Sequence, residues 1–447
     1  MKKTNKLLLI NPVSRWRGGL SASTGSTFPP ISLGILARLT PPDWEVKLID
    51  ENYEPYRFED ADVTAITAFT SAVARAYDIA DEYRARGIPV VFGGIHASML
   101  PDEALEHADA VVIGEAEKVW PDVIADFERG SLKKKYVGVC GDLAQTAVPD
   151  RSIFHPDYNV ASIQTSRGCP MDCEFCSVTA FNGRVFRQRP AADVIDELRE
   201  IEPSYMFIVD DNLVGYGKKS ARRAVEIFKR MDELKLGKEW LCQSGLNVAD
   251  DENVLYWMRR AGCRTIFLGI ETDDPEELSG MDKPINVRAN YTDVFDKINK
   301  YSMNVLGAFI FGNDGETVAS IRRKFDYIMN ASIDIVQITH LTPLPGTRLF
   351  QRLKETGRLL FTNFPDDWKR YAMTDLVFQL DKMDPAVYIE EFKRGIRTVY
   401  SRKNIVRRFF RTWRRTGSLI TALWAYNTNY FYRAAAYASV LARTGSR

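Results

Sequence analysis

Residues 166–176 read Ser166-Arg167-Gly168-Cys169-Pro170-Met171-Asp172-Cys173-Glu174-Phe175-Cys176, a C-x3-C-x2-C spacing with an aromatic residue just before the third cysteine. Three thiolates on one short loop can hold three irons of a cubane 4Fe–4S cluster, because soft sulfur ligands suit iron–sulfur chemistry. The fourth iron is then left without a protein ligand. An open iron serves an enzyme that binds and reductively cleaves a small molecule, whereas an electron-carrier cluster normally has all four positions closed.

A structural zinc site fits less well. Such sites take four ligands, usually in paired units. Here Cys140, Cys242 and Cys263 are scattered singly, and His96, His107, His155 and His340 form no cluster in sequence. Six cysteines in 447 residues also make a poor disulfide framework. Cys242 and Cys263 read as small buried hydrophobes.

The cysteine run resembles the radical S-adenosylmethionine (SAM) superfamily. In that family the open iron chelates the amino and carboxylate groups of SAM, so the resemblance implies a 4Fe–4S cluster and SAM as cofactors.

Sixty basic and 59 acidic residues leave a net charge of +1, and no global charge points to nucleic acid. An apolar fraction of 45% is enough for sizeable cores. No apolar run has the length of a bilayer-spanning helix, and a cytoplasmic, reducing location is expected, which also suits an oxygen-sensitive cluster.

Residues 1–140 alternate strand and helix patterns. Leu7–Ile10, Val46–Ile49, Val63–Thr67, Pro89–Phe92 and Ala110–Ile113 are short apolar runs of the buried parallel-strand type. Between them, Ser71–Arg86 puts Ala72, Ala76, Ile79, Ala80 and Tyr83 on one helix face. Five strands with intervening helices predict a doubly wound, Rossmann-like α/β domain, which binds ligands at the carboxyl ends of its strands. The loops at those ends are Asn11-Pro12, Phe28-Pro29-Pro30, Ala68–Ser71, Gly93-Gly94-Ile95-His96 and Gly114-Glu115-Ala116-Glu117. No G-x-G-x-x-G follows the first strand, so a nicotinamide site of the usual kind is not expected.

Pro29-Pro30 before an apolar helix, the Gly-Gly-Ile-His turn and the Gly-Glu-Ala-Glu turn together resemble the N-terminal domain of cobalamin-dependent radical SAM enzymes. That resemblance implies cobalamin, with Pro29, Pro30, Ser71, Gly93, Gly94, His96 and Glu115 as its binding residues. One departure stands out. Many such domains carry D-x-H-x-x-G, whose histidine ligates cobalt. The corresponding stretch here is Asp50-Glu51-Asn52-Tyr53-Glu54-Pro55, which supplies no imidazole. The run Lys133-Lys134-Lys135 reads as a solvated linker or edge.

Residues 158–365 resume the alternation, with strands expected at Val160–Thr165, Met206–Val209, Trp240–Gln243, Thr265–Leu268, Leu306–Phe311 and Ile333–Thr339. Six β/α repeats are similar to the partial (β/α)6 barrel of the radical SAM family, where chemistry gathers at the C-terminal strand ends. The resemblance places Asp210 or Asp211 at the methionine end of SAM, Ser244 and Asn247 at its ribose and carboxylate, Glu271 as an acceptor, and Gly312 in the adenine-side turn. Each of these residue types also caps helices at ordinary strand ends. His340 at the last strand end is a candidate for substrate contact or proton transfer, against a structural histidine.

Residues 366–447 read as helical. Arg402-Lys403, Arg407-Arg408, Arg411 and Arg414-Arg415 interleave with Phe409, Phe410 and Trp413, ahead of the apolar, Tyr/Trp-rich stretch Leu419–Val440. Two readings stand: a helical cap over the barrel, which is preferred, or a basic aromatic surface for peripheral membrane contact.

The domain order is loosely similar to hopanoid methylases and anaerobic porphyrin-ester cyclases. It implies methylation of an unactivated carbon of a small-molecule or lipid substrate, through the 5′-deoxyadenosyl radical and methylcobalamin, with an external electron donor such as flavodoxin or ferredoxin. Radical ring formation is the alternative, and a non-enzymatic cofactor sensor is a third reading that the open iron argues against.

Overall fold

The computed structural model describes residues 4–14, 28–287 and 290–441. Its first layer is a parallel sheet of β1 (Lys6–Asn11), β2 (Glu45–Asp50), β3 (Val63–Thr67), β4 (Val90–Gly93), β5 (Ala110–Ile113) and β6 (Lys135–Val137), in the order β2-β1-β3-β4-β5-β6. Leu7, Leu8, Leu9 and Ile10 are all buried, as a central strand with helices on both faces requires. The order reverses between β1 and β3, the position where doubly wound sheets open a ligand crevice. The sixth strand begins inside the lysine run: Lys135 opens the sheet edge and pairs with Asp102 at 2.6 Å.

The second sheet holds β7 (Val160–Ile163), then, after a two-stranded hairpin of β8 (Ser166–Arg167) and β9 (Arg187–Gln188), β10 (Tyr205–Ile208), β11 (Glu239–Ser244), β12 (Cys263–Glu271), β13 (Asn304–Phe311) and β14 (Ile335–His340). Its six long strands are parallel and run in the order β14-β13-β12-β11-β10-β7, a partial barrel with helices on its outer face. The helix Gly217–Glu233 shows why: Ala224, Ile227, Phe228 and Met231 recur at helical spacing and bury against the strands. Met206, Ile208, Trp240, Cys242, Ile266 and Leu268 fill the helix-covered face, while the alternating residues Phe207, Leu241, Gln243 and Phe267 stay partly exposed on the inner one.

Helices Pro385–Val399, Arg402–Thr416 and Leu419–Ala436 follow the barrel. The last packs Trp424 and Ala425 against Phe267, Leu306 and Ile335, closing one end of the barrel as the cap reading expects.

Candidate active site

The cysteine loop hangs between β8 and β9 and is fastened from several sides. Asp210, wholly buried, accepts from Thr165 N at 2.6 Å, Thr165 Oγ1 at 2.6 Å and Ser166 Oγ at 2.7 Å. Its carboxylate is thereby committed to the root of the loop, although burial pushes the group up. Asp211 accepts from Gly168 N at 2.9 Å. Gly168 has φ +84°, and a Cβ there would stand 2.1 Å from Val185 O, so only glycine turns the chain into Cys169. On the far side, Arg352 holds Glu174 at 2.6 Å and Arg348 donates to Asp172 O at 2.5 Å.

Cys169, Cys173 and Cys176 are free and only partly buried. Burial raises the Cys169 thiol and pushes Cys173 up to about 12, with the Lys283 ammonium opposing the shift. Lys283 also meets Glu271 Oε1 at 2.5 Å and Gly269 O at 2.7 Å. Glu271 sits at a bulge in β12 with φ +65°, so its carboxylate is aimed by the backbone and then anchored by the lysine.

A second polar cluster stands beside the thiols. Asn212 Oδ1 accepts from Gly215 N at 3.2 Å, Ser244 Oγ at 3.3 Å and Gly245 N at 3.2 Å. Asn247 Nδ2 donates to Gly215 O at 2.8 Å, while its Oδ1 is buried with no partner. Tyr216 lies near enough to Cys169 and Cys173 to feel their charge, and burial, the larger influence, raises its phenol. Gly312, at φ +93°, donates its N–H to Glu316 Oε2 at 2.8 Å and lies close to Tyr388. Glu316 in turn pairs with the buried Lys324 at 2.5 Å. Thr317 caps the helix Val318–Asn330.

His340 takes a different place from the one its strand-end position suggested. Strand alternation turns it away from Gln337 and Thr339 and under the helix Pro385–Val399, where Nδ1 meets Tyr388 Oη at 2.7 Å and Phe392 covers the ring. Burial pushes its imidazole down to about 3, so it is neutral.

In the first sheet, Gly94 (φ +91°) packs against Thr67 and Ala68, whereas a Cβ on Gly93 would meet open space. Pro30 precedes the helix Ile31–Leu39 and Ser71 lies in the short turn Thr70–Ala72, beside Phe69, which is 75% exposed. Pro29 is buried next to Phe28, whose ring lies 4.8 Å from that of Phe207 on the barrel wall. His96 is wholly buried, with Nδ1 3.2 Å from Thr70 Oγ1 and Nε2 3.0 Å from Glu103 Oε1. Trp368 Nε1 donates to the same Glu103, so this histidine braces the first sheet against the region after the barrel. The Asp50–Pro55 loop is equally occupied: Asp50 accepts from Tyr158 Oη at 2.6 Å and Glu51 from Arg75 Nη2 at 2.7 Å.

The carboxyl ends of the two sheets face each other. Glu115 binds Arg187 at 2.6 Å and Arg167 at 3.1 Å, and Glu117 binds Arg167 at 2.5 Å. Nearby, Met99 Sδ lies 2.2 Å from where a Cβ on Gly346 would stand, which shows how closely the β4 loop meets the barrel mouth.

A B12 binding domain matches residues 18–124, the radical SAM superfamily matches 163–328, and a domain of unknown function (DUF4070) matches 347–446. Bacteriochlorophyllide d C-12(1)-methyltransferase of Chlorobaculum tepidum is 30% identical over 432 residues, 91% of this chain and 90% of that protein. The chain belongs to the cobalamin-dependent radical SAM family. Hopanoid C-2 methylase of Rhodopseudomonas palustris is a more distant relative, 29% identical over 345 residues, 74% of this chain and 65% of that protein. Among solved structures, OxsB, a cobalamin-dependent SAM radical enzyme with aqua-cobalamin and SAM bound, shares the fold at TM-score 0.71 and 13% identity, over 97% of this chain and 71% of that one.

The family's cofactors are a 4Fe–4S cluster, SAM and cobalamin, and the residues present fit them. Three open thiols share one pinned loop. The orphaned Asn247 Oδ1 beside them awaits a donor such as an ammonium or hydroxyl. The open space at Gly93 and the exposed ring of Phe69 lie at strand ends, where a large flat cofactor needs close backbone approach. Sequence reasoning missed Arg167, Arg187, Tyr216 and Lys283. Arg167 lay within the quoted run and Tyr216 stood between two glycines at a strand end, but nothing in the local pattern marked Lys283.

Proposed function

We propose that this enzyme methylates an unactivated carbon of a small-molecule or lipid substrate held between the two sheets. The observation that carries the proposal is the ion-paired seam of Glu115 and Glu117 with Arg167 and Arg187, which holds the β5 end of the cobalamin domain against the cysteine loop. When bound, the cluster supplies the electron that cleaves SAM reductively, and cobalamin supplies a transferable methyl group.

The chain's own groups do the positioning. Asp210 and Asp211 fix the loop that presents the thiolates. Asn247 Oδ1 accepts from SAM, and Glu271, held by Lys283, faces its cationic end. The inner wall, with Phe207, Leu241 and Ile310 beside Gln243, takes a substrate with an apolar body and a few polar groups. A cytoplasmic donor such as a flavodoxin or ferredoxin reduces the cluster.

The test is to supply SAM with a deuterated methyl group, a reductant and cobalamin to host extract, and to follow products by mass spectrometry. The proposal expects a product that gains a labelled methyl group; ring formation or desaturation without label would assign the enzyme to the cyclase-like reading.

A further inference from the structure

The C-terminal helical hairpin has two opposite faces. Its inner face is bound to the barrel. Thr412 Oγ1 donates to Asp334 Oδ1 at 2.7 Å, Arg411 Nη2 to Ile333 O at 2.7 Å, and Asn429 Nδ2 to Asp334 O at 2.8 Å. The outer face is apolar and basic together. Val406, Phe410 and Trp413 on one helix, and Leu419, Ile420 and Leu423 on the next, are 40 to 61% exposed. Lys403, Arg407 and Arg414 are exposed along the same helical stripe. No acidic residue follows Glu391 in the chain.

Folding alone gives no reason to leave six large apolar side chains in water on one hairpin. Clusters of this kind mark interaction surfaces. The absence of carboxylates, the arginines and the interfacial aromatic residues complement anionic lipid headgroups: rings enter the headgroup layer while guanidinium groups stay at phosphate level. No helix among the described residues is long and apolar enough to cross a membrane, so the hairpin would lie on the surface. We propose that this face docks the enzyme on an anionic lipid bilayer, with Phe410, Trp413 and Ile420 inserted and Lys403, Arg407 and Arg414 on the phosphates. The docking is independent of the reaction the active site performs.

The full chain is mixed with vesicles of phosphatidylcholine, with or without phosphatidylglycerol, and sedimented. Wild type should pellet with the anionic vesicles and be partly released by salt. Phe410→Glu with Trp413→Glu should weaken binding about tenfold or more, and Arg407→Ala with Arg414→Ala should abolish the preference for anionic lipid. Circular dichroism and cobalamin uptake should be unchanged in both variants, which separates lost docking from lost fold. Wild type remaining in the supernatant with both vesicle types would overturn the proposal. So would a lipid-free dimer of wild type that the Phe410→Glu, Trp413→Glu variant dissociates, because the face would then belong to a second copy.

Discussion

Glu117 of the cobalamin domain and Arg167 of the barrel meet at 2.5 Å, two residues before the first cluster cysteine. Glu115 reinforces the seam by binding both Arg167 and Arg187, and all four side chains are largely shielded from water. Removing Glu115 leaves Arg187 shielded from water without its carboxylate partner, while Arg167 keeps only Glu117. Glu115→Gln should therefore cost about 3 kcal/mol and expose residues 138–159, between the two sheets, to limited proteolysis. The effect should depend on pH. Burial pushes the Glu115 carboxyl up, but the Arg187 hydrogen bond and the Arg167 charge outweigh it, so the folded group ionises below the usual carboxylate range. Its contribution is complete above the unfolded value and is lost as pH falls through the folded one. The stability gap between wild type and variant should thus be full at about pH 7 and shrink below about pH 4.

Gly93 and Gly94 are adjacent but should fail differently. A side chain on Gly94 would collide with Thr67 Oγ1 at 2.5 Å from a left-handed backbone, so Gly94→Ala should lower the melting temperature. Gly93 faces open space, and Gly93→Leu should keep the melting temperature of the cobalamin-free protein while blocking cobalamin uptake, read from its visible absorption.

Burial holds the His340 imidazole down to about 3, so it stays neutral in the folded protein while the unfolded chain protonates below its ordinary value of 6.5. The unfolded state therefore binds more protons in that window, and stability falls as pH drops from about 6.5 towards 3. His340→Asn can still accept from Tyr388 but lacks this proton uptake. Any stability advantage of wild type over the variant at pH 7 should narrow by pH 5 in thermal melts, and no step in the pH profile of activity should follow His340.

Cys169→Ala, Cys173→Ala or Cys176→Ala should each abolish the brown 4Fe–4S chromophore after anaerobic reconstitution, whereas Cys140→Ala should retain it. Glu271→Gln should keep the chromophore and weaken SAM about tenfold in equilibrium binding, the usual worth of a charge-assisted contact.

The long strands were legible because buried parallel strands read as unbroken apolar runs such as Leu7–Ile10, and the cysteine loop because its ligands are consecutive in sequence. What escaped was short or non-local. Two-residue strands such as Ser166–Arg167 carry no periodicity, and β6 was masked by the lysines that begin it. Lys283 meets Glu271 only in the fold, from a separate segment after β12. His340 was placed at the right strand end, but it points to the opposite face from Gln337 and Thr339, under a helix that comes much later in the chain. The preferred cap reading describes the inner side of the C-terminal hairpin, and the basic and aromatic residues that prompted the alternative lie on its outer side.

The most direct test of methyl transfer is the stoichiometry of SAM products. Reduced, reconstituted enzyme with cobalamin and SAM should form some 5′-deoxyadenosine without substrate. Once a methylated product accumulates, S-adenosylhomocysteine and 5′-deoxyadenosine should rise together, one of each per turnover, because one SAM initiates the radical and another restores the methyl group. A substrate turned over with 5′-deoxyadenosine but without S-adenosylhomocysteine would contradict the account.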